Sequence, residues 1–207
     1  MKYIIIFLCV MVLLHAVLLE ASDTSNVDEK AKFLEWAKLP ALPDKLGVAG
    51  PFVGVHLNPE NRDQEVMIVA GGANFPVKEG QDLWEVPKVY HNDAWVLTRE
   101  KDTDGETSYK WISGFEIDNP RAYGACVSTK HGVVCIGGRD GNQAYDNVSL
   151  LSWDGAANQL KQAPLPGLPE PSQGGSAAMI GDTIYLVGGM TGTGLASASR
   201  NFWSLDI

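Results

Sequence analysis

Three apolar runs in this chain stop at a pair of glycines: VMIVAGG at 66–72, VVCIGG at 133–138 and IYLVGG at 184–189. Each run has the length of a strand rather than a helix. A second strand-length segment precedes each: PFVGVHL at 51–57, RAYGACVST at 121–129 and GGSAAMI at 174–180. After each glycine pair the chain turns polar for a variable distance and reaches an acidic or amide residue. An apolar run with a tryptophan follows: YHNDAWVL at 90–97, YDNVSLLSW at 145–153 and RNFWSLDI at 200–207. Turn signals separate the pieces, GD at 181–182 and either KH or HG near 131. The pattern predicts antiparallel hairpins.

A strand–strand–glycine pair–loop–tryptophan strand unit that recurs roughly every 50–65 residues marks a kelch-type β-propeller blade. The expected fold class is all-β. One such sheet cannot bury both of its faces, so blades stack around a channel. The glycines let the inner strand bend with no side chain in the way, and Trp95, Trp153 and Trp203 are expected to fill space between blades. Blade one is placed at 48–114, blade two at 119–164 and an incomplete blade three at 172–207, within a partial propeller spanning 32–207. KFLEWAKLP at 32–40 is expected to be an outer strand of the last blade of a closed ring. An arc of this kind leaves sheet faces and an edge open, so self-association or pairing with a complementing half-propeller is expected.

Charge and targeting narrow the partners. The net charge of −9 argues against nucleic acid, which needs a basic face. Lys2 precedes an apolar stretch at 3–19, broken by His15 and closed by Glu20. It reads as a signal peptide over 1–21, cleaved near Ala21 or Ser22, the alternative being an uncleaved membrane anchor. The mature chain is then exported, periplasmic, secreted or lumenal, with no membrane partner. Cys9 leaves with the leader. Cys126 and Cys135 face each other if Lys130 and His131 form the turn between them, and miss each other if His131 and Gly132 do. Export permits a disulfide; two small buried thiols are the alternative. His56, His91 and His131 lie on separate elements without ligand spacing, so no metal site and no cofactor are expected. GGMTGTG at 188–194 lacks the Lys-Ser/Thr of a phosphate loop, and the blade pattern explains its glycines. NVS at 147–149 is a glycosylation acceptor only in a eukaryotic secretory pathway.

Four strings carry a more specific likeness: GVAGPFVGVH at 47–56, VAGGANFP at 69–76, VYHNDAWVL at 89–97 and NPRAYGACV at 119–127. Together they resemble the cyclically permuted mutarotase family, exported kelch propellers of the N-acetylneuraminate epimerase type. The likeness covers most of 33–207. It implies a propeller of about six blades, of which about three are present here, and interconversion of the α and β anomers of sialic acid without a cofactor. The hemiketal hydroxyl loses a proton, the ring opens, and the carbonyl is attacked on its other face. That chemistry asks for a general acid/base pair and a cation for the substrate carboxylate. The family's Glu and Arg belong to a GE…PG.R string placed directly after a glycine pair. The corresponding positions here are Ala73, Arg139 and Met190, and the string does not occur in the chain. No catalytic residue is therefore assigned, and the chain is expected to be an inactive fragment unless the string is supplied elsewhere.

Loops after the glycine pairs and loops leading into the first strands should meet at the channel mouth. This geometry singles out Asn74, Phe75, Arg121, Arg139 and Gln173 as substrate-binding candidates. The two arginines suit the carboxylate of an acidic sugar; the alternative has Arg121 in a structural ion pair and Arg139 paired with Asp140. The long loop 73–89, with Glu79, Trp84 and Glu85, could cover a bound sugar. The competing functional reading is an exported, non-catalytic kelch module that binds a glycan or a protein at the same mouth.

Overall fold

The computed structural model of the protein describes residues 35–56, 65–101 and 103–207; the leader at 1–21 lies outside them. The chain divides into two units at Leu39/Pro40, and every strand lies in the second. In chain order the strands are β1 (Phe52–His56), β2 (Val66–Ala70), β3 (Ala73–Asn74), β4 (Val89–Tyr90), β5 (Asp93–Lys101) and β6 (Thr107–Glu116). There follow β7 (Ala125–Thr129), β8 (Gly132–Ile136), β9 (Val148–Asp154), β10 (Gln159–Leu165), β11 (Ser176–Ile180), β12 (Thr183–Val187) and β13 (Phe202–Asp206). They form an antiparallel sheet β1-β2-β5-β6, a second β7-β8-β9-β10 and a third β11-β12-β13. The fold is all-β, with successive sheets as blades of a partial propeller, and each glycine pair follows the second strand of its sheet.

Period-two alternation sorts the side chains between the sheets. In β8, Val133 and Cys135 join Phe52, Ile68, Val96 and Leu151 in the core between sheets one and two. Val134 and Ile136, one residue out of phase, join Val148, Ile184 and Leu186 between sheets two and three. Every residue of β8 is buried because both faces of its sheet are covered. Trp153 packs edge-on against Phe115 at 5.5 Å in the first core, and Trp203 packs against the second, as the repeat predicts. Trp95 is also buried, yet its neighbours Ala94 and Val96 point into the first core. Its ring therefore lies on the opposite face of sheet one.

The hairpin register is settled. Lys130 and His131 form the turn, and Cys126 lies opposite Cys135. Both thiols are free. Cys126 Sγ donates to the Val53 carbonyl (3.0 Å) and accepts from the Val53 N–H (3.3 Å), while Ser128 Oγ accepts from the Val55 N–H (2.8 Å). Side chains of β7 thus satisfy the free edge of β1 in the neighbouring sheet. The outer strand expected at 32–40 does not form over residues 35–40, the part that is described. A strand needs a neighbour for its backbone groups; here the Pro40 carbonyl accepts the Trp111 indole N–H at 3.0 Å instead.

Candidate functional site

The loop end of the sheets is built from a repeated backbone pattern. Each lead-in loop is bridged to the residue after the glycine pair of its own sheet: Ala49 to Ala73, Ala122 to Arg139 and Gln173 to Met190. These bridges make Ala73, Arg139 and Met190 structurally equivalent, as the repeat alignment has them. The glycine pair itself is an inter-sheet joint. Gly72 N–H donates to the Arg121 carbonyl (2.7 Å), and Gly138 N–H to the Ser172 carbonyl (2.8 Å). A Cβ on Gly71 or Gly137 would overlap those same two carbonyl oxygens. The glycines are required by the close approach of the next lead-in loop as much as by the bend.

One residue later each lead-in loop turns left-handed: Gly50 at φ 62°, Tyr123 at φ 61° and Gly174 at φ 68°. Two of the three positions are glycine and the third is tyrosine. A non-glycine residue pays about 1–2 kcal/mol to hold this conformation. The backbone enforces it, since Tyr123 N–H donates to the Gly50 carbonyl (2.8 Å) and the Tyr123 carbonyl accepts from Gly174 N–H (2.6 Å).

The Tyr123 ring lies over Gly50, where a Cβ would strike it, and stands edge-on to Tyr90 at 6.4 Å. Lys88 Nζ sits 5.2 Å from the Tyr123 ring centre and 5.1 Å from that of Phe75. It donates to the Tyr123 hydroxyl oxygen at 3.2 Å. On the far side, the Arg139 guanidinium lies 5.8 Å from the Tyr90 ring. The result is a cluster of three rings and two cations, with Lys88 against both Phe75 and Tyr123 and Arg139 against Tyr90. Among the described residues neither cation has a carboxylate within ion-pair distance. Lys88 and Tyr90 come from the long loop, whose base the β3–β4 ladder closes.

The candidates predicted from sequence divide in two. Phe75 and Arg139 reach this cluster. Arg139 is steered by its Nε–H to the Asp140 carbonyl (2.9 Å) and its NH1 to the Thr193 carbonyl (3.1 Å). It does not pair with the Asp140 carboxylate. That carboxylate is occupied by the Asn142 and Gln143 N–H groups and the Tyr145 hydroxyl at 2.7–2.8 Å. Burial alone would raise the Asp140 carboxyl, but these donors outweigh it and hold it below the ordinary value.

Arg121, Asn74 and Gln173 are instead engaged in contacts within the chain. Arg121 is 3% exposed. Its NH1 donates to the Gly137 carbonyl (3.3 Å), and its guanidinium lies 5.8 Å from Phe52 and 5.5 Å from Tyr145. Burial draws its pKa below the ordinary arginine value. Arg121 pins sheets one and two together beneath the mouth, because Phe52 and Tyr145 close over it. Asn74 is committed at both ends, donating to the Gly47 carbonyl (2.9 Å) and meeting His91 Nε2 through Oδ1 (3.0 Å). Gln173 is buried and staples its own sheet's loop through Nε2 to the Gly192 carbonyl (3.1 Å). Trp84, 90% exposed, touches nothing in the cluster.

Lys88, Tyr90 and Tyr123 were not singled out from sequence. The signal was present for Tyr123: two repeats write glycine where the third writes tyrosine. For Lys88 there was none, because a solvated lysine in a long loop carries no distinguishing pattern. Cavities also lie away from this cluster. One of about 220 Å³ is walled largely by apolar side chains such as Val134, Leu150 and Leu165, with His131 and Asp206 also on its lining.

No protein-family model matches the chain. Among curated proteins it is similar to N-acetylneuraminate epimerase of Haemophilus influenzae (strain 86-028NP), 30% identical over 66% of this chain and 36% of that protein. It is likewise similar to N-acetylneuraminate epimerase of Vibrio cholerae, 27% identical over 69% of this chain and 30% of that protein. The Escherichia coli (strain HS) protein of the same name is 28% identical over 61% and 32%. The chain thus spans about a third of the length of the curated relatives it matches. The solved structure of YjhT superposes with a TM-score of 0.54 at 15% identity, covering 83% of this chain and 46% of that one. The resemblance carried by the four sequence strings is thereby borne out, and so is the propeller fold.

Proposed function

We propose that this chain supplies the substrate-binding side of a sialic acid mutarotase-like propeller, which receives an acidic sugar at the mouth between sheets one and two. The observation that carries the reading is the cluster of Phe75, Tyr123 and Tyr90 with Lys88 and Arg139. Aromatic faces suit the C–H face of a sugar ring, and two cations that form no ion pair among the described residues suit an anion in a chain of net charge −9. The relatives' name supports sialic acid as that anion.

Mutarotation needs one group to take the anomeric hydroxyl proton and another to protonate the ring oxygen as it departs. The chain's own residues bind and orient: cations hold the carboxylate, and rings exclude water from one face. None of the equivalent positions Ala73, Arg139 and Met190 is a carboxylate. That observation favours a second reading, a non-catalytic sugar-binding module. Proton nuclear magnetic resonance of the sialic acid anomers decides between them. Ligand line broadening with exchange at the spontaneous rate is the outcome expected of the chain alone. Exchange accelerated well above that rate would place the acid/base pair within these residues. Absence of any binding at millimolar sugar would sink both readings.

A further inference from the structure

Tyr123 occupies a backbone position that the fold assigns to glycine. Its equivalents Gly50 and Gly174 have the same left-handed φ and the same place in the chain of lead-in hydrogen bonds. A bulky residue there is a genuine conformational outlier, and such outliers persist where surroundings over-determine them and cluster at ligand sites. Glycine would serve the fold at this point without strain, so the side chain must be what the position is used for.

The side chain does two things. Its ring covers Gly50 and meets Tyr90 edge-on. Its hydroxyl oxygen accepts a hydrogen bond from Lys88 Nζ at 3.2 Å. Because the oxygen is the acceptor in that bond, the hydroxyl proton is not consumed by it and remains free to donate. The lysine keeps further N–H groups of its own. Two donors, one neutral and one charged, therefore stand side by side at the rim of the aromatic cluster. That spacing fits the two oxygens of a single carboxylate, and charge-assisted bonds of this kind are the strong ones.

We infer that Tyr123 and Lys88 form the carboxylate seat of the mouth, with Tyr123 the residue that sets specificity for an acidic over a neutral sugar. The inference rests on the sugar-binding reading above and deepens it, since it moves the anion from the buried Arg121 to the rim. Arg139, across Tyr90, is left to the distal end of the ligand.

The test is calorimetric titration of the full chain with N-acetylneuraminate and with its uncharged methyl ester, alongside thermal melts, for wild type, Tyr123→Phe, Tyr123→Gly and Lys88→Met. Wild type should prefer the acid to the ester. Tyr123→Phe keeps the ring and should melt with wild type, yet lose roughly ten-fold in affinity for the acid and little for the ester. Lys88→Met should lose at least as much for the acid alone. Tyr123→Gly should weaken both ligands while melting within a few degrees of wild type, because relieved strain offsets lost ring contacts. Unchanged acid affinity in Tyr123→Phe and Lys88→Met, with wild type binding normally, would overturn the seat and leave the sugar-binding reading intact. A Tyr123→Gly protein that melts far below wild type would show the ring to be packing, and would also overturn it. Wild type that binds neither ligand would remove both the seat and the reading beneath it.

Discussion

At the scale of single residues, Arg121 is buried where the sequence reading placed a ligand contact, and Tyr123, which that reading passed over, reaches the aromatic cluster. An arginine just after a proline, at the start of a string that resembles the mutarotase family, reads as a ligand clamp. Nothing in the sequence tells that Phe52 from one sheet and Tyr145 from another will close over it. Its Nε has no hydrogen-bond partner, so the guanidinium is held by one carbonyl and two ring faces. Arg121→Ala should therefore cost stability, not ligand affinity. The loss of a charge-assisted bond and two ring contacts points to a penalty of about 2–4 kcal/mol. Urea denaturation of the variant checks this; an unchanged midpoint together with weakened sugar binding would return Arg121 to the ligand.

Elements were more legible than side chains. The strands, the hairpin turns and the order of sheets follow from period-two alternation punctuated by glycine pairs, as at β8, where Val133 and Val134 face different cores. A strand at 32–40 is not a local property of the sequence, because pairing depends on a neighbour and apolar pattern alone does not supply one. The function of the glycine pair was only half legible: the bend is local, whereas the carbonyl of the next loop is not. This yields a graded prediction. Gly137→Ala adds a Cβ that meets the Ser172 carbonyl in a left-handed backbone, so it should destabilise by about 3 kcal/mol or more. Gly188→Ala has the same backbone, at φ 67°, but its nearest neighbour, the Ser199 carbonyl oxygen, is 3.9 Å away. It should cost only the backbone strain, about 1–2 kcal/mol. Equal losses in chemical denaturation would refute the joint.

A second prediction belongs to the contact between sheets one and two. His56 Nδ1 accepts the Trp153 backbone N–H at 2.9 Å, and burial lowers its pKa below the ordinary histidine value. A histidine whose folded pKa is depressed stabilises the fold fully above the unfolded pKa. That contribution falls as pH drops below about 6.5 toward the folded pKa. The melting temperature of wild type should decline across this window, and His56→Gln, which keeps an acceptor and does not titrate, should flatten the decline. A parallel decline in both proteins would remove His56 from the account.

For the whole molecule, the two inter-sheet cores leave one face of the third sheet bare. Ile180 is 73% exposed and Phe202 66% exposed; Val187, also exposed, is paired opposite Phe202, and Tyr185 is tilted against Phe202 at 5.9 Å. Apolar surface of this kind is a liability for a monomer. Self-association through this face, expected from the repeat pattern, stands as a proposal. Ile180→Lys and Phe202→Lys together should shift the sedimentation profile toward monomer at micromolar concentration. A wild type that already sediments as a single monomeric species would contradict it.

The joint over each glycine pair also sets an order in time. The carbonyl that fills the space above Gly71 belongs to Arg121, and the one above Gly137 belongs to Ser172, each a full blade further along the chain. A ribosome delivers residues from the N-terminus at about 5–20 per second. Sheet one is complete in its strands at Glu116, five residues and about a second or less before the piece that latches it emerges. Each blade waits, formed but unlatched, for its successor, and the growing protein closes behind itself like a zip whose slider is the next lead-in loop.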